Sequence, residues 1–162
     1  MTQYYNCKNW VIWLSFCIAL ILQSISYPQE IHMFRPFWCL LILIYWVLII
    51  PHQINVGSGF LLGVVIDLLE GSTLGIHALS FSIIAYVVAF KNNAFKTLAL
   101  WQQALIVSLL SILEKIIVFS SEFLVVNLTF QPEMLLSSVI NGILWPWIFL
   151  LLSKILHRYN LY

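Results

Sequence analysis

Asp67 is the residue best placed to do chemistry: it stands in one of the most hydrophobic stretches of the chain, with Gly59, Gly63, Gly71 and Gly75 flanking it at a spacing of four. On a helix that spacing aligns residues on one stripe. In lipid, glycine lets two backbones approach closely, and an ionisable group is tolerated where it pairs or faces a cavity. The stripe predicts a packing face with a charge embedded in it. That stripe is the surface expected to receive a partner helix. Trp46, with Trp38 and Tyr45 on the preceding apolar segment, is a helix-packing residue expected first to pack against lipid or the core and second to dock another helix.

Glu70 lies three residues beyond Asp67 and shares its face, as a general acid and base would. Two carboxylates alone do not make an active site. An intramembrane aspartyl protease needs two aspartates, and Asp67 is the only aspartate in the chain. Gly57-Ser58-Gly59 lacks the spacing of a nucleophile elbow, no HExxH is present, and no glycine-rich loop carries a phosphate-binding lysine. His32 and His77 are expected on the outer side and His52 and His157 on the inner, a division that assembles no metal site. No catalysis, cofactor or metal is therefore expected. Pairing is expected instead, with Arg35 at the outer end of the second helix meeting Asp67 or Glu70 in a polar outer cluster. Glu114 and Lys115 point about 100° apart on a helix, so they are expected to serve different partners. Charges near the interface also snorkel to water with no further role. Asp67, deepest and beside glycines, fits that description least.

The elements that position these groups follow from composition. Of 162 residues, 62% are hydrophobic and 8% charged, against roughly 25% charged in a globular domain, and the mean hydropathy is +1.00. This is the composition of an integral membrane protein. The formal charge is +1, and its seven basic residues form no stripe that would follow a nucleic-acid backbone. Cys7, Cys17 and Cys39 are odd in number, without CxxC spacing, and read as free thiols.

Apolar runs predict about six membrane helices, near 10–27, 37–50, 54–69, 74–90, 98–120 and 135–152, in a single polytopic domain covering 1–162. Turn residues separate them, among them Pro51-His52-Gln53, Gly71-Ser72-Thr73 and Lys91-Asn92-Asn93. As one helix, the stretch from Ile54 to Phe90 would run roughly 55 Å, far beyond a hydrocarbon core of about 30 Å. It must fold back, with Gly71 ending one helix and Ser72 or Thr73 capping the next. A re-entrant pair that never crosses is the alternative for two such short halves.

With the N-terminus inside, Lys8, Lys91, Lys96, Lys154 and Arg158 face the cytoplasm, Arg35 falls outside, and Lys115 lies within a span. Both termini are then cytoplasmic. The run from Trp10 to Ile25 is long and aromatic for a cleavable signal, so a retained first helix is expected. Ser121 to Glu133 would form the sizeable outer loop, with its apolar part on the interface or extending the helix before it. In the last helix Pro146, between Trp145 and Trp147, frees the Gly142 carbonyl and predicts a kink.

In order along the chain, Arg35-Pro36-Phe37-Trp38, Tyr45-Trp46, Pro51-His52, Asn55-Val56-Gly57-Ser58-Gly59-Phe60, Asp67-Leu68-Leu69, Gly71-Ser72-Thr73-Leu74-Gly75, Leu100-Trp101-Gln102-Gln103-Ala104-Leu105 and Asn141-Gly142-Ile143-Leu144-Trp145-Pro146-Trp147 resemble the rod shape-determining MreD family. That resemblance spans nearly the whole chain. It implies an inner-membrane scaffold of the bacterial elongation machinery, which builds side-wall peptidoglycan. The partners it implies are MreC, MreB directly or indirectly, a penicillin-binding transpeptidase with its glycosyltransferase, and membrane lipid. It also implies an all-α fold similar to the substrate-binding subunits of energy-coupling vitamin transporters, an analogy that assigns no ligand. The rival reading is a subunit that binds or transports a small molecule or lipid-linked precursor through an outward-opening cavity near Arg35 and Asp67.

Overall fold

The computed structural model describes residues 9–25, 36–126 and 134–158, and among them it is helical with no strand. Among the described residues there are seven helices: α1 (Asn9–Ser24), α2 (Trp38–Ile49), α3 (Val56–Glu70), α4 (Ile76–Phe90), the single turn α5 (Asn92–Lys96), α6 (Leu100–Val126) and α7 (Met134–Arg158). They follow the six predicted apolar segments, with α5 added between the fourth and fifth. The stretches 100–121 in α6 and 136–156 in α7 are long and apolar enough to cross a membrane. At 15 residues each, α3 and α4 are only about 22 Å long. The predicted outer loop is partly helix, because α6 runs on to Val126.

The centre of the molecule is α2, a 12-residue helix buried without interruption from Cys39 to Leu48. It shows no polar face because none of its sides meets the exterior. α1, α4, α5 and α7 surround it. Trp46, fully buried, donates its indole N–H to Ser15 Oγ of α1 at 2.7 Å, and Asn92 of α5 donates to the carbonyl of the next residue, Val47, at 3.3 Å. Tyr45 meets Phe149 of α7 edge-on. Trp46 is thus part of the protein's own core.

Local sequence sets the ends of the hairpin. The Asn55 side chain accepts from the Gly57 N–H while Ser58 Oγ accepts from the Asn55 N–H, a capping box that starts α3. Gly71 adopts φ +66° and ends α3 in the left-handed conformation. The cap of α4 differs from expectation: Gly75, at φ +103°, precedes the helix with no side-chain cap, and Ser72 turns back toward α3. Gly71 and Gly75 both lie outside the helices, so the five-residue ladder is a helical stripe only as far as Asp67. On the other side of the bundle, Gly142 of α7 lies against α6, where a Cβ would come 3.1 Å from the Ala104 carbonyl oxygen. Pro146 sits inside a continuous α7; Trp145 beside it is buried with its N–H toward Gln103, while Trp147 is exposed.

Candidate functional site

Gly59 and Gly63 face α4 of the same chain. A Cβ on Gly63 would stand 2.3 Å from the Ala78 Cα, and one on Gly59 would stand 2.9 Å from the Phe81 carbonyl oxygen. These are backbone contacts that no rotamer change can relieve. The small-residue seam is therefore closed from within, which corrects the expectation that it is open to a visiting helix. Two backbones this close gain dispersion along their whole length, which is what glycine on a membrane helix achieves.

Asp67 lies at the end of this seam and is buried. Its Oδ1 accepts from Ser72 Oγ at 2.9 Å, from the His77 backbone N–H at 3.1 Å and from His77 Nδ1 at 2.8 Å, and its Oδ2 accepts from the Gly75 N–H at 2.8 Å. The Ser72 N–H is bonded to the Asp67 carbonyl as well. One carboxylate thus gathers the donors that the turn and the start of α4 leave without helical partners. Its capacity is taken up by the protein itself. Arg35, the expected partner, lies outside the described residues.

With Nδ1 directed at Asp67, the His77 ring turns its Nε2 toward Glu70 Oε2, 3.7 Å away, and Glu114 Oε1 of α6, 4.0 Å away. Phe37 stacks against the ring at 5.9 Å. Glu70, at the end of α3, also accepts from Gln23 of α1 at 3.1 Å. Glu114 is fully buried, and Lys115 approaches its Oε2 to 3.5 Å while lying 4.8 Å from the centre of the Phe37 ring. The two neighbours therefore serve each other, contrary to their expected divergence: long side chains bend toward one another where both helix sides are apolar. Asn141 completes this end of the bundle, accepting from the Phe37 N–H at 2.9 Å and donating to Ser111 Oγ at 3.1 Å.

The Asp67–His77 pair has the form of an orienting carboxylate and a base, but carboxylates stand before the outward nitrogen where a catalytic pair would present a nucleophile or substrate. Among the described residues no group of three histidine, cysteine or acidic side chains could hold a metal. The arrangement can tie helices together and hold a proton. Sequence reasoning missed His77 and the link from Glu114 to it. The available signal was position: His77 falls just past a glycine-bounded turn, where the first turn of a returning helix faces back on Asp67.

A second feature lies on another face of α3. Between α1 and α3 runs an apolar groove of about 500 Å³, walled by Trp13, Phe16 and Leu20 on one side and Leu61, Leu62 and Val65 on the other. Cys17 opens onto it as a free, exposed thiol.

Comparison with known proteins accounts for this framework. No solved structure matches the chain. A rod shape-determining protein MreD from Haemophilus influenzae is 39% identical over 155 residues, covering 95% of this chain and 96% of its own length. The family model for rod shape-determining protein MreD matches residues 6–155. With the glycine seam, the buried acidic cluster and the Asn141-Gly142 helix contact all inside that match, the chain belongs to the MreD family of membrane proteins and has a role in cell shape.

Proposed function

We propose that this protein is a non-enzymatic scaffold of the elongation machinery in the bacterial inner membrane, and that the groove between α1 and α3 docks the transmembrane segment of MreC. In this reading it crosses the membrane six times with both termini cytoplasmic, in an arrangement similar to the vitamin-transporter subunits. Through MreC it helps to position the side-wall transpeptidase and glycosyltransferase, and it meets MreB directly or indirectly.

The observation that carries the reading is the contrast in accessibility around α3. The glycine seam has no room for a second chain, whereas the groove is open and lined by large apolar side chains of the kind that interlock with a passing helix. Cysteines placed at Leu61 and Val65 are expected to crosslink to the MreC segment in membranes. Absence of crosslinks from both groove positions, with MreC still co-purifying, would remove the groove from the proposal.

The rival, a ligand-binding subunit with its cavity near Asp67, finds that carboxylate already bonded to four donors of its own chain. The geometry favours the scaffold.

A further inference from the structure

We infer that Lys91 and Lys96, presented by the single turn α5, bind the headgroups of anionic phospholipids. The inference needs the chain to lie in a bilayer but is independent of the groove between α1 and α3. It begins with how firmly so short an element is fixed. Five residues do not hold a helix by themselves, yet Asn92 and Phe95 are both buried. Asn92 donates to the Val47 carbonyl of α2 at 3.3 Å, the Phe95 ring meets Trp145 of α7 edge-on at 6.4 Å, and Gln103 of α6 donates its amide to the Phe95 and Leu98 carbonyls at 3.3 and 3.1 Å. Three helices thus pin one side of the turn.

The rest of the turn carries the charge. At about 100° per residue, Lys91 and Lys96 fall on opposite flanks of the face formed by Asn92 and Phe95, roughly 70° to either side of it. Both are exposed, and neither has a carboxylate within ion-pair distance among the described residues. No acidic residue occurs between Glu70 and Glu114. Glu70 stands by His77 at the start of α4, a helix of about 22 Å whose other end leads into α5, and Glu114 lies about 21 Å along α6 from Leu100. Carboxylates therefore gather at one end of the bundle and these lysines at the other. Partial burial also lowers the Lys96 ammonium from its usual value, with no opposite charge to offset the lost hydration.

The surroundings identify the occupant. Tyr86 and Phe90, stacked at 6.1 Å, are exposed on the helix that enters the turn, and Trp101 is exposed on the helix that leaves it. Lys91 Nζ stands 5.6 Å from the centre of the Phe90 ring. Tyrosine and tryptophan favour the headgroup level of a bilayer, so these rings set the depth at which the two ammonium groups lie. At that depth the complementary charge is a lipid phosphate, and an acidic headgroup presents it without a compensating amine. A pinned turn helps, because lysines on a fixed backbone lose less freedom when headgroups settle around them.

The test uses the full chain in nanodiscs of equal parts phosphatidylglycerol and phosphatidylcholine, whose leaflets are alike, so the orientation of the protein plays no part. Native mass spectrometry of protein released from the discs counts the lipids it retains. Phosphatidylglycerol should be enriched, and Lys91→Gln or Lys96→Gln should each lower that enrichment by roughly fivefold. The double glutamine variant should approach parity, while Lys91→Arg with Lys96→Arg should keep the preference. Lys154→Gln, which removes the same charge from an exposed site on α7, should leave most of it. Unchanged melting of the double variant in phosphatidylcholine alone checks its fold, and if it does not fold the single variants decide. Equal retention of both lipids by the wild type would overturn the proposal and turn attention to an acidic protein. So would enrichment kept without both lysines, or an equal loss in Lys154→Gln, which would make net charge the cause.

Discussion

Two faces of α3, about half a turn apart, meet their surroundings in opposite ways. Gly59 and Gly63 bring α4 to backbone contact, while Leu61 and Val65 stand exposed over an open groove. On α3, small residues therefore mark where this chain binds itself, and large ones mark where it is open to something else. In water the reverse intuition serves well, since large apolar groups seek the interior. In lipid the exterior is as apolar as leucine, so size no longer sorts inside from outside and closeness of approach does.

The contrast breaks first, and hardest, at the seam. Gly63→Leu should destabilise the hairpin by more than about 3 kcal/mol, because its Cβ would meet the Ala78 backbone. Thermal unfolding in detergent reads this directly, and a stable variant would mean that the helices can separate without loss. Any loss of MreC binding in that variant would follow from the damaged hairpin.

Next comes the carboxylate that closes the seam. Asp67→Ala strands two backbone donors, a hydroxyl and an imidazole, an expected loss of about 3 kcal/mol. Asp67→Asn keeps one acceptor oxygen and should cost less. Equal melting temperatures for the two would show that the bonds at this turn contribute little.

A smaller effect is expected where the backbone alone is at stake. Gly71→Ala, at φ +66° with open space around its Cβ, should cost about 1 kcal/mol. Smallest on stability are Leu61→Ala and Val65→Ala in the groove, within about 0.5 kcal/mol of wild type. Those two should nevertheless weaken capture of MreC. If they melted as early as the seam variants, the two faces would not differ in kind.

Much of the framework was legible in the residues. Apolar runs and turn residues located the helices, and the hairpin followed from a stretch too long for one bilayer crossing with Gly71 at its middle. Legibility failed where the question became which element faces which. A spacing of four carries Gly59 through Gly75 as arithmetic, yet the helix stops at Glu70, so the last two glycines serve the turn. Likewise Trp46 belongs to a helix enclosed on every side, and nothing in a uniformly apolar run distinguishes enclosure from contact with lipid. Glu114 and Lys115 diverge on an ideal helix but meet because their side chains are long. The His77–Asp67 bond needed the fold, since ten residues and a turn separate its partners.

Enclosure of α2 has a consequence for biogenesis. Of the helices that surround it, α4, α5 and α7 are synthesised later, so the ribosome delivers a short greasy segment well before its sheath exists. At about 18 Å it is also too short to sit comfortably across a bilayer by itself. Translation arrested before Met134 is therefore expected to leave Tyr45 reactive to a lipid-soluble label, and completion of α7 to shield it.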